Sequence, residues 1–371
     1  MITIASNEDL RRIRGHHQRL SNRSRSSSVA ETARHLCALQ SQEWASAQLA
    51  IQARARGITQ ADVIQARELE RSFVLTWSLR GTLHLVAAED IRWQLKLCGP
   101  GAIRGTRRRY EQLGLSETIR EEALPAIESI LNSEGALTRP ELAEALAGRG
   151  IPVEGQAIHH LLRFAALRGL ICLGPERAGD LTYALLDDWL PADAAEAMPA
   201  EPLAVFARRY LEAYAPATAA DFARWSGLSK AQVKAAWGAI AAECVTVAIP
   251  TGEAQMLKAQ LDHLDAAARE RTARFLPRYD NYLLGYESRA FMVADAQAKQ
   301  VHPGGGLIRA CVIIDGEARA AWKLEKRRKS MRVAISPYEA LSAADIRLLE
   351  AEAESLGSFL DARLELRVED N

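Results

Sequence analysis

The feature that most restricts the fold of this chain is an order of elements that occurs more than once: three helical stretches followed by a pair of short alternating runs. In residues 118–187, TIREEALPAIESILNSEG has apolar positions at helical spacing, TRPELAEALAGRG opens with a threonine cap and Pro140 in its first turn, and GQAIHHLLRFAALRGL supplies a third helix. The runs LICLG and LTYALL follow as strands around the turn-forming PERAGD. Three helices closed by a hairpin is the order of a winged helix-turn-helix. It returns at residues 201–258, in EPLAVFARRYLEAYAP, TAADFARWSG, SKAQVKAAWGAIA and a hairpin within CVTVAIPTGEAQMLKA that turns at Thr251 and Gly252. A looser copy fits residues 6–90 and ends on FVLTWSLRGTLHLVAA, which folds back at Arg80, Gly81 and Thr82.

From about residue 272 the texture changes to strands and glycine-punctuated turns, read as a small antiparallel β-barrel-like unit, and one final helix, SAADIRLLEAEAESLGSFLDARL, closes the chain. The expected fold is therefore mainly α with small β: three tandem winged helices (residues 1–115, 116–195 and 196–268) and a C-terminal β-domain (269–371). Winged helices commonly bind DNA, but a buried copy serves as a packing module, so the fold alone does not settle function.

No stretch approaches the roughly 18 apolar residues of a membrane span, and the N-terminus has no apolar run of a signal peptide, so the cytosol is the expected compartment. The five cysteines are scattered without a C-x-x-C pair and are read as buried thiols rather than as disulfides or zinc ligands. The adjacent His159 and His160 diverge on a helix and make no metal site. Lysine plus arginine and aspartate plus glutamate both number 47, which argues against a generally basic nucleic-acid binder. The distribution is less even. RRIRGHHQRLSNRSR (residues 11–25), RGTRRRY (104–110) and KLEKRRKSMR (323–332) are basic runs, and acid gathers in residues 111–147. Each run is either part of a positive face or a solvated helix surface.

The segment CALQSQEWASAQ places Gln40 and Gln42 around Ser41 where an apolar helix pattern ends. A carboxamide neither takes nor gives a proton, so any chemistry there rests on positioning. On a continuous helix, residues two apart point about 200° from one another. At a junction between helices they can converge, and the periodicity from Val29 to Leu39 stops at Gln40, with a fresh pattern beginning near Ser46 as a cap.

The blocks LCALQSQEWASAQLAIQARARG, FVLTWSLRGTLHLVAAEDIRWQLKL, RYLEAYAPATAADFARWSGL, FLPRYDNYLLGYESR and HPGGGLIRACVIIDG with Trp322, in that order, resemble the winged-helix DNA glycosylases of the AlkZ and YcaQ type from roughly residue 8 to residue 365. The resemblance implies a monofunctional glycosylase that hydrolyses the N-glycosidic bond of bulky N7-alkylated purines, or unhooks interstrand crosslinks, and leaves an abasic site. It carries the family's catalytic signature onto Gln40 and Gln42. Ser41 stands where an apolar or small residue is usual, and Glu43-Trp44 stands where an acid and a proline are common. No metal or organic cofactor is implied. The partner is double-stranded DNA carrying an alkylated purine, bound by a monomer in the cytoplasm at the nucleoid. The alternative is a non-catalytic winged-helix DNA-binding protein, a regulator or a lesion-binding resistance protein.

Candidate DNA contacts are Trp44 beside the motif, Arg80 and Thr82 at the hairpin tip, and His84, which alternates with Thr82 and either faces the cleft or is a hydrogen-bonded structural histidine. His302 and Arg309 lie in a candidate hairpin around HPGGG, which the resemblance assigns to the minor groove. Glu43 is either a base that the amides lack or an exposed surface charge. Arg278, Asp280, Tyr286 and Arg289 form a candidate interdomain ion-pair network.

Overall fold

The computed structural model describes residues 2–369 apart from 22–27, 192–193, 195–197, 263, 265–270 and 328–329. Arg23 and Arg25 of the first basic run, and Arg328 and Lys329 of the last, lie outside the described residues. In chain order, strand β1 (Ile2–Thr3) is followed by helices α1 (Asn7–His17) and α2 (Val29–His35), strand β2 (Leu39–Gln40), and helices α3 (Trp44–Gln52) and α4 (Gln60–Glu68). Strands β3 (Phe73–Trp77) and β4 (Leu83–Ala87) lead to α5 (Ile91–Gly105), α6 (Arg107–Gln112) and α7 (Glu117–Glu134). Next come β5 (Leu137–Thr138), α8 (Arg139–Ala147), α9 (Ala157–Leu167), β6 (Ile171–Arg177), β7 (Asp180–Leu185) and the short α10 (Leu186–Trp189). Helices α11 (Pro202–Tyr214), α12 (Ala219–Ser226) and α13 (Lys230–Ala239) precede β8 (Cys244–Ile249) and β9 (Gly252–Leu257). The C-terminal strands are β10 (Ala273–Leu276), β11 (Cys311–Ile314), β12 (Glu317–Lys326), β13 (Met331–Pro337) and β14 (Leu364–Val368), with a long helix, Ala343–Leu360, before the last.

By internal contacts the chain divides into two units, Met1–Ile64 with Leu203–Trp225 and Lys230–Asn371, and Gln65–Pro202 with Ser226–Ser229. Residues 1–115, taken together in the sequence, thus contribute to both.

The first unit begins with well-marked helix starts. Ser6 caps α1 by accepting from the Asp9 amide (3.1 Å), with acid in the first turn and Arg14, His16 and His17 in the last. Ser28 and Glu31 form a reciprocal capping box on α2. Helices α11 to α13 and the β8–β9 hairpin follow the expected order, and β1 adds to the hairpin in parallel, Ile2 opposite Val247. The core here is aromatic. Tyr210 stacks on Tyr214 at 4.8 Å between ring centroids, Trp225 and Phe222 pack beside them, and Tyr286 meets Phe291 edge-on at 5.1 Å. The buried Arg14 guanidinium lies 4.0 Å from the Tyr286 ring centroid and 4.2 Å from that of Phe291 while donating to the Pro216 carbonyl (2.8 Å).

The C-terminal sheet has the order β10-β11-β12-β13-β14 and is open, not the barrel-like closure expected. The chain does not end in a helix either: after Ala343–Leu360, Asp361 takes a left-handed conformation (φ 48°) and β14 pairs in parallel with β13, Met331 opposite Leu364. The helix is the crossover that a parallel pair requires, and it packs against both edge strands, β10 and β14. A helix therefore covers the face that closure would have buried.

The second unit holds the strand order β4-β3-β6-β7-β5. Both hairpins expected from alternation are present, with Phe73 opposite Ala87 through Trp77 opposite Leu83, and Ile171 opposite Leu185. Helices α7, α8 and α9 precede the second of them, Ser116 capping α7 and Thr138 with Glu141 boxing α8. Helix α5 meets the end of α9 at Gly99, where an added Cβ would lie 2.5 Å from the Leu167 carbonyl oxygen. Cys37, Cys98, Cys172 and Cys311 are buried; Cys244, at the first residue of β8, is only half-buried, contrary to the expectation for all five.

Candidate active site

Helix α2 stops at His35, earlier than the apolar pattern implied, because Cys37 adopts φ 64° and turns the chain out of the helix. Leu36 to Leu39 stay buried in the turn and the start of β2 that follow, which is why the apolar run continued in the sequence. Helix α3 starts at Trp44 on an extended Glu43 (φ −130°, ψ 124°), so Ser46 sits inside the helix and does not cap it. Its hydroxyl instead donates to the Glu43 carboxylate (3.1 Å). Gln40 and Gln42 both fall in the non-helical junction, where the 200° divergence of a helix does not apply.

The two glutamines differ in exposure. Gln42 is exposed, whereas Gln40 keeps 8% of its surface. Ser41 is buried between them and donates its hydroxyl to the Leu39 carbonyl (2.8 Å), so it fills the place of a small apolar residue with its polar group satisfied. Glu43 forms an ion pair with Arg278, both side chains being about two-fifths exposed. A carboxylate at this helix start also complements the N-terminal end of the α3 dipole.

The segment is held from one side by the sequence Arg278-Tyr279-Asp280-Asn281. Asp280 caps the short helix Asn281–Leu284, accepting from the Tyr282 amide (2.8 Å), and receives two bonds from Arg54 (2.7 and 2.8 Å) with both side chains fully buried. Arg54 also donates to the Ala50 carbonyl (2.9 Å) at the end of α3. Asn281 accepts from the Gln40 amide (2.8 Å) and donates to the Ala38 carbonyl (2.7 Å) and the Tyr214 hydroxyl (2.6 Å). Tyr214 donates in turn to the Leu36 carbonyl (3.3 Å), and burial holds its phenol well above the ordinary range, so it remains a donor. Asp280 and Arg278 do form ion pairs, with Arg54 and Glu43, and all four residues belong to the same compact unit. Tyr286 belongs to the aromatic core and Arg289 donates to the Leu283 carbonyl (2.5 Å).

Close to this segment His35 lies with its Nε2 2.6 Å from the His17 carbonyl. Burial first, and the Arg19 charge second, lower its pKa to about 4, so it is a neutral N–H donor at ordinary pH.

Other candidates are placed differently. Trp44 is half-buried at the first position of α3. Arg80 sits at the β3–β4 turn in a left-handed conformation (φ 54°), half-buried, with its stem against Gly227, where an added Cβ would lie 2.9 Å from the Arg80 Cγ. Thr82 is half-buried and donates to the Leu79 carbonyl (3.1 Å). His84 corrects the expectation of a cleft-facing residue: it is 1% exposed, its Nδ1 is 2.9 Å from the Thr82 carbonyl, and burial lowers its pKa to about 3, the Arg80 charge adding to the shift.

The HPGGG stretch is not a two-stranded hairpin. A single bridge between Gly304 and Leu307 closes a tight turn after the short helix Ala298–Val301. Three successive glycines at positive φ (107°, 61° and 78°) permit a turn too tight for a pair of strands. His302 is half-buried with both ring nitrogens enclosed, its pKa lowered to about 4 by burial and then by the Arg289 charge; Arg309 is exposed.

Asn281 and Tyr214 are the residues that sequence reasoning missed. Asn281 lies inside the block FLPRYDNYLLGYESR, beside Asp280 and Arg278, so its neighbourhood was visible although its role was not.

Residues 33–359 match the family described as DNA glycosylase AlkZ-like. The chain is 26% identical over 336 residues, 88% of its length and 89% of the relative's, to an interstrand DNA cross-link repair glycosylase of Streptomyces sahachiroi. The structure of Streptomyces sahachiroi DNA glycosylase AlkZ superimposes with a TM-score of 0.84 at 25% identity, covering 100% of both chains. With a match spanning most of its length and a fold shared from end to end, the chain belongs to the AlkZ-like DNA glycosylase family.

Proposed function

We propose that this protein is a monofunctional DNA glycosylase that hydrolyses the N-glycosidic bond of a bulky N7-alkylated purine or an interstrand crosslink, leaving an abasic site. The observation that carries the proposal is the Gln40-Ser41-Gln42 segment, non-helical and fixed in its backbone, in a chain of this family. The relative's activity on cross-linked DNA supports the substrate class.

N7-alkylguanine already carries a positive charge, so it departs without protonation by an enzyme acid. What remains is to hold water and favour the oxocarbenium-like sugar as the bond stretches. Carboxamide dipoles suit that task, each contributing on the order of 2 to 4 kcal/mol to the barrier. The mostly buried Gln40 would act as a dipole screened from bulk solvent, and the exposed Gln42 as the group that meets the DNA. An unmodified purine stays a poor leaving group, which confines a weak catalyst to damaged bases.

In this reading the three sequence segments that each end on a hairpin are winged helices that present a concave surface to double-stranded DNA, bound by a monomer. Trp44, Arg80, Thr82, His302 and Arg309 are retained as proposed contacts, and the sequence segments 1–115, 116–195, 196–268 and 269–371 as proposed modules. No described helix is long and apolar enough to cross a membrane, which accords with a cytoplasmic, nucleoid-associated enzyme.

The test is incubation of an N7-alkylguanine duplex with wild type and with a Gln40→Ala/Gln42→Ala variant, followed by alkaline cleavage of abasic sites. Wild type should generate breaks at the lesion, and the double variant should lose at least about 100-fold in rate. Equal cleavage by both would remove the glutamines from the chemistry. Tight binding without any cleavage by wild type would favour the lesion-binding alternative.

A further inference from the structure

We infer that Asn281 is a positioning residue for the Gln-x-Gln segment: its single carboxamide clamps the backbone on both sides of Leu39 and so sets where Gln40 and Gln42 project. The orientation of the amide is fixed by its partners. The Gln40 N–H can only donate, so it must face Oδ1 (2.8 Å), and the Ala38 carbonyl can only accept, so it must face Nδ2 (2.7 Å). Accepting from one residue and donating to the residue two earlier is the pairing that a residue of a parallel neighbouring strand makes. On this edge of the two-residue β2, a side chain distant by 241 positions supplies it.

The clamp is rigid at its base. Asn281 is 2% exposed, Asp280 beside it is locked to Arg54 by two bonds, and its second donor hydrogen is taken by Tyr214, itself stacked on Tyr210. The Tyr214 hydroxyl extends the same edge to the Leu36 carbonyl, so Leu36, Ala38 and Gln40 are held in series. Arg278, three residues before Asn281, pairs with Glu43 at the other end of the junction. One short loop therefore grips the segment before and after the glutamines. Dipoles that act by position lose their effect when they shift, and a displacement of about 1 Å can cost about 100-fold in rate.

The catalytic part of this inference rests on the glycosylase reading, so its test includes a readout that does not. In Asn281→Ala, amide hydrogen exchange at Gln40 should lose its protection while the aromatic core around Tyr210 keeps its own. Single-turnover excision from the N7-alkylguanine duplex should fall about 10- to 100-fold, with the duplex Kd changed less than about threefold. Asn281→Asp keeps the acceptor but faces the Ala38 carbonyl with a carboxylate. Its excision rate should recover as pH falls and the carboxyl gains a proton to donate, over a range where wild type is flat; loss of packing alone gives no such recovery.

Retained protection of Gln40 in Asn281→Ala would overturn the clamp. So would an unchanged excision rate, or parallel loss of excision, binding and thermal stability in both variants. If wild type excises nothing, or Gln40→Ala/Gln42→Ala excises normally, the glycosylase reading fails, and the exchange result alone then decides whether Asn281 holds the segment.

Discussion

A histidine enclosed as His84 is, 1% exposed with its pKa lowered from 6.5 to about 3, stays neutral in the folded protein while the unfolded chain can still take up a proton. The native state then binds fewer protons than the unfolded state between about pH 6.5 and pH 3, so stability is full above that window and falls as pH drops through it, by about 1.4 kcal/mol per unit per group. His35, with its pKa lowered to about 4, acts with the same sign. Thermal melts at about pH 7.5 and pH 5 should show a larger loss of Tm for wild type than for His84→Asn, whose side chain does not titrate. Parallel losses would mean that His84 is charged in the native state. At this scale amides near a helix end read as ordinary surface residues, so it was the resemblance that singled out Gln40 and Gln42, whereas Asp280 and Arg278 stood out through their charges. Asn281 and Tyr214 did not. A bond from a neutral side chain to backbone 241 or 178 positions away leaves no local pattern.

Elements whose cause is local were readable. The β3–β4, β6–β7 and β8–β9 hairpins follow from alternation around turn residues, and the capped start of α8 from its threonine, with glutamate three residues on. Elements set by distant partners were not. β14 is a half-exposed alternation that pairs only because a helix carries it back beside β13, and β2 is two residues long. The α5–α9 contact belongs to this second kind. Gly99 stands inside a helix, where glycine costs stability, because its missing Cβ would lie 2.5 Å from the Leu167 carbonyl oxygen. Backbone cannot move aside as a flexible side chain does. Gly99→Ala should therefore destabilise by about 1 to 3 kcal/mol despite alanine's better helix propensity. Denaturant melts check it: an unchanged or raised midpoint would show that α5 stands farther from α9.

Across the whole molecule, a net charge of zero conceals a division of labour among the basic runs. In the described part of the first run, Arg14 is buried over Tyr286, Arg11 donates to the Phe291 carbonyl (2.9 Å) and pairs with Glu317 (3.6 Å), Arg12 pairs with Glu8 at the surface, and Arg19 is half-buried. In the last run, Lys323 and Arg327 share Glu325 (2.9 and 2.6 Å), and Arg332 pairs with Glu365 (2.9 Å). In the middle run Arg107 is matched by Glu111 (2.9 Å) and Arg109 bonds Gln156 (2.6 Å), whereas Arg104 and Arg108 are exposed. Lys326 of the last run is exposed as well, and Arg104 and Arg108, on α5 and α6, are an exposed pair that can meet phosphate. For a duplex, log K falls by about 0.9 per log unit of salt for each phosphate neutralised. Arg104→Ala/Arg108→Ala should therefore weaken binding to lesion-bearing and lesion-free duplex alike and reduce the salt slope by up to about 1.8, leaving the excision rate at saturating enzyme unchanged. A slope identical to wild type would make this part of α5 and α6 a solvated surface.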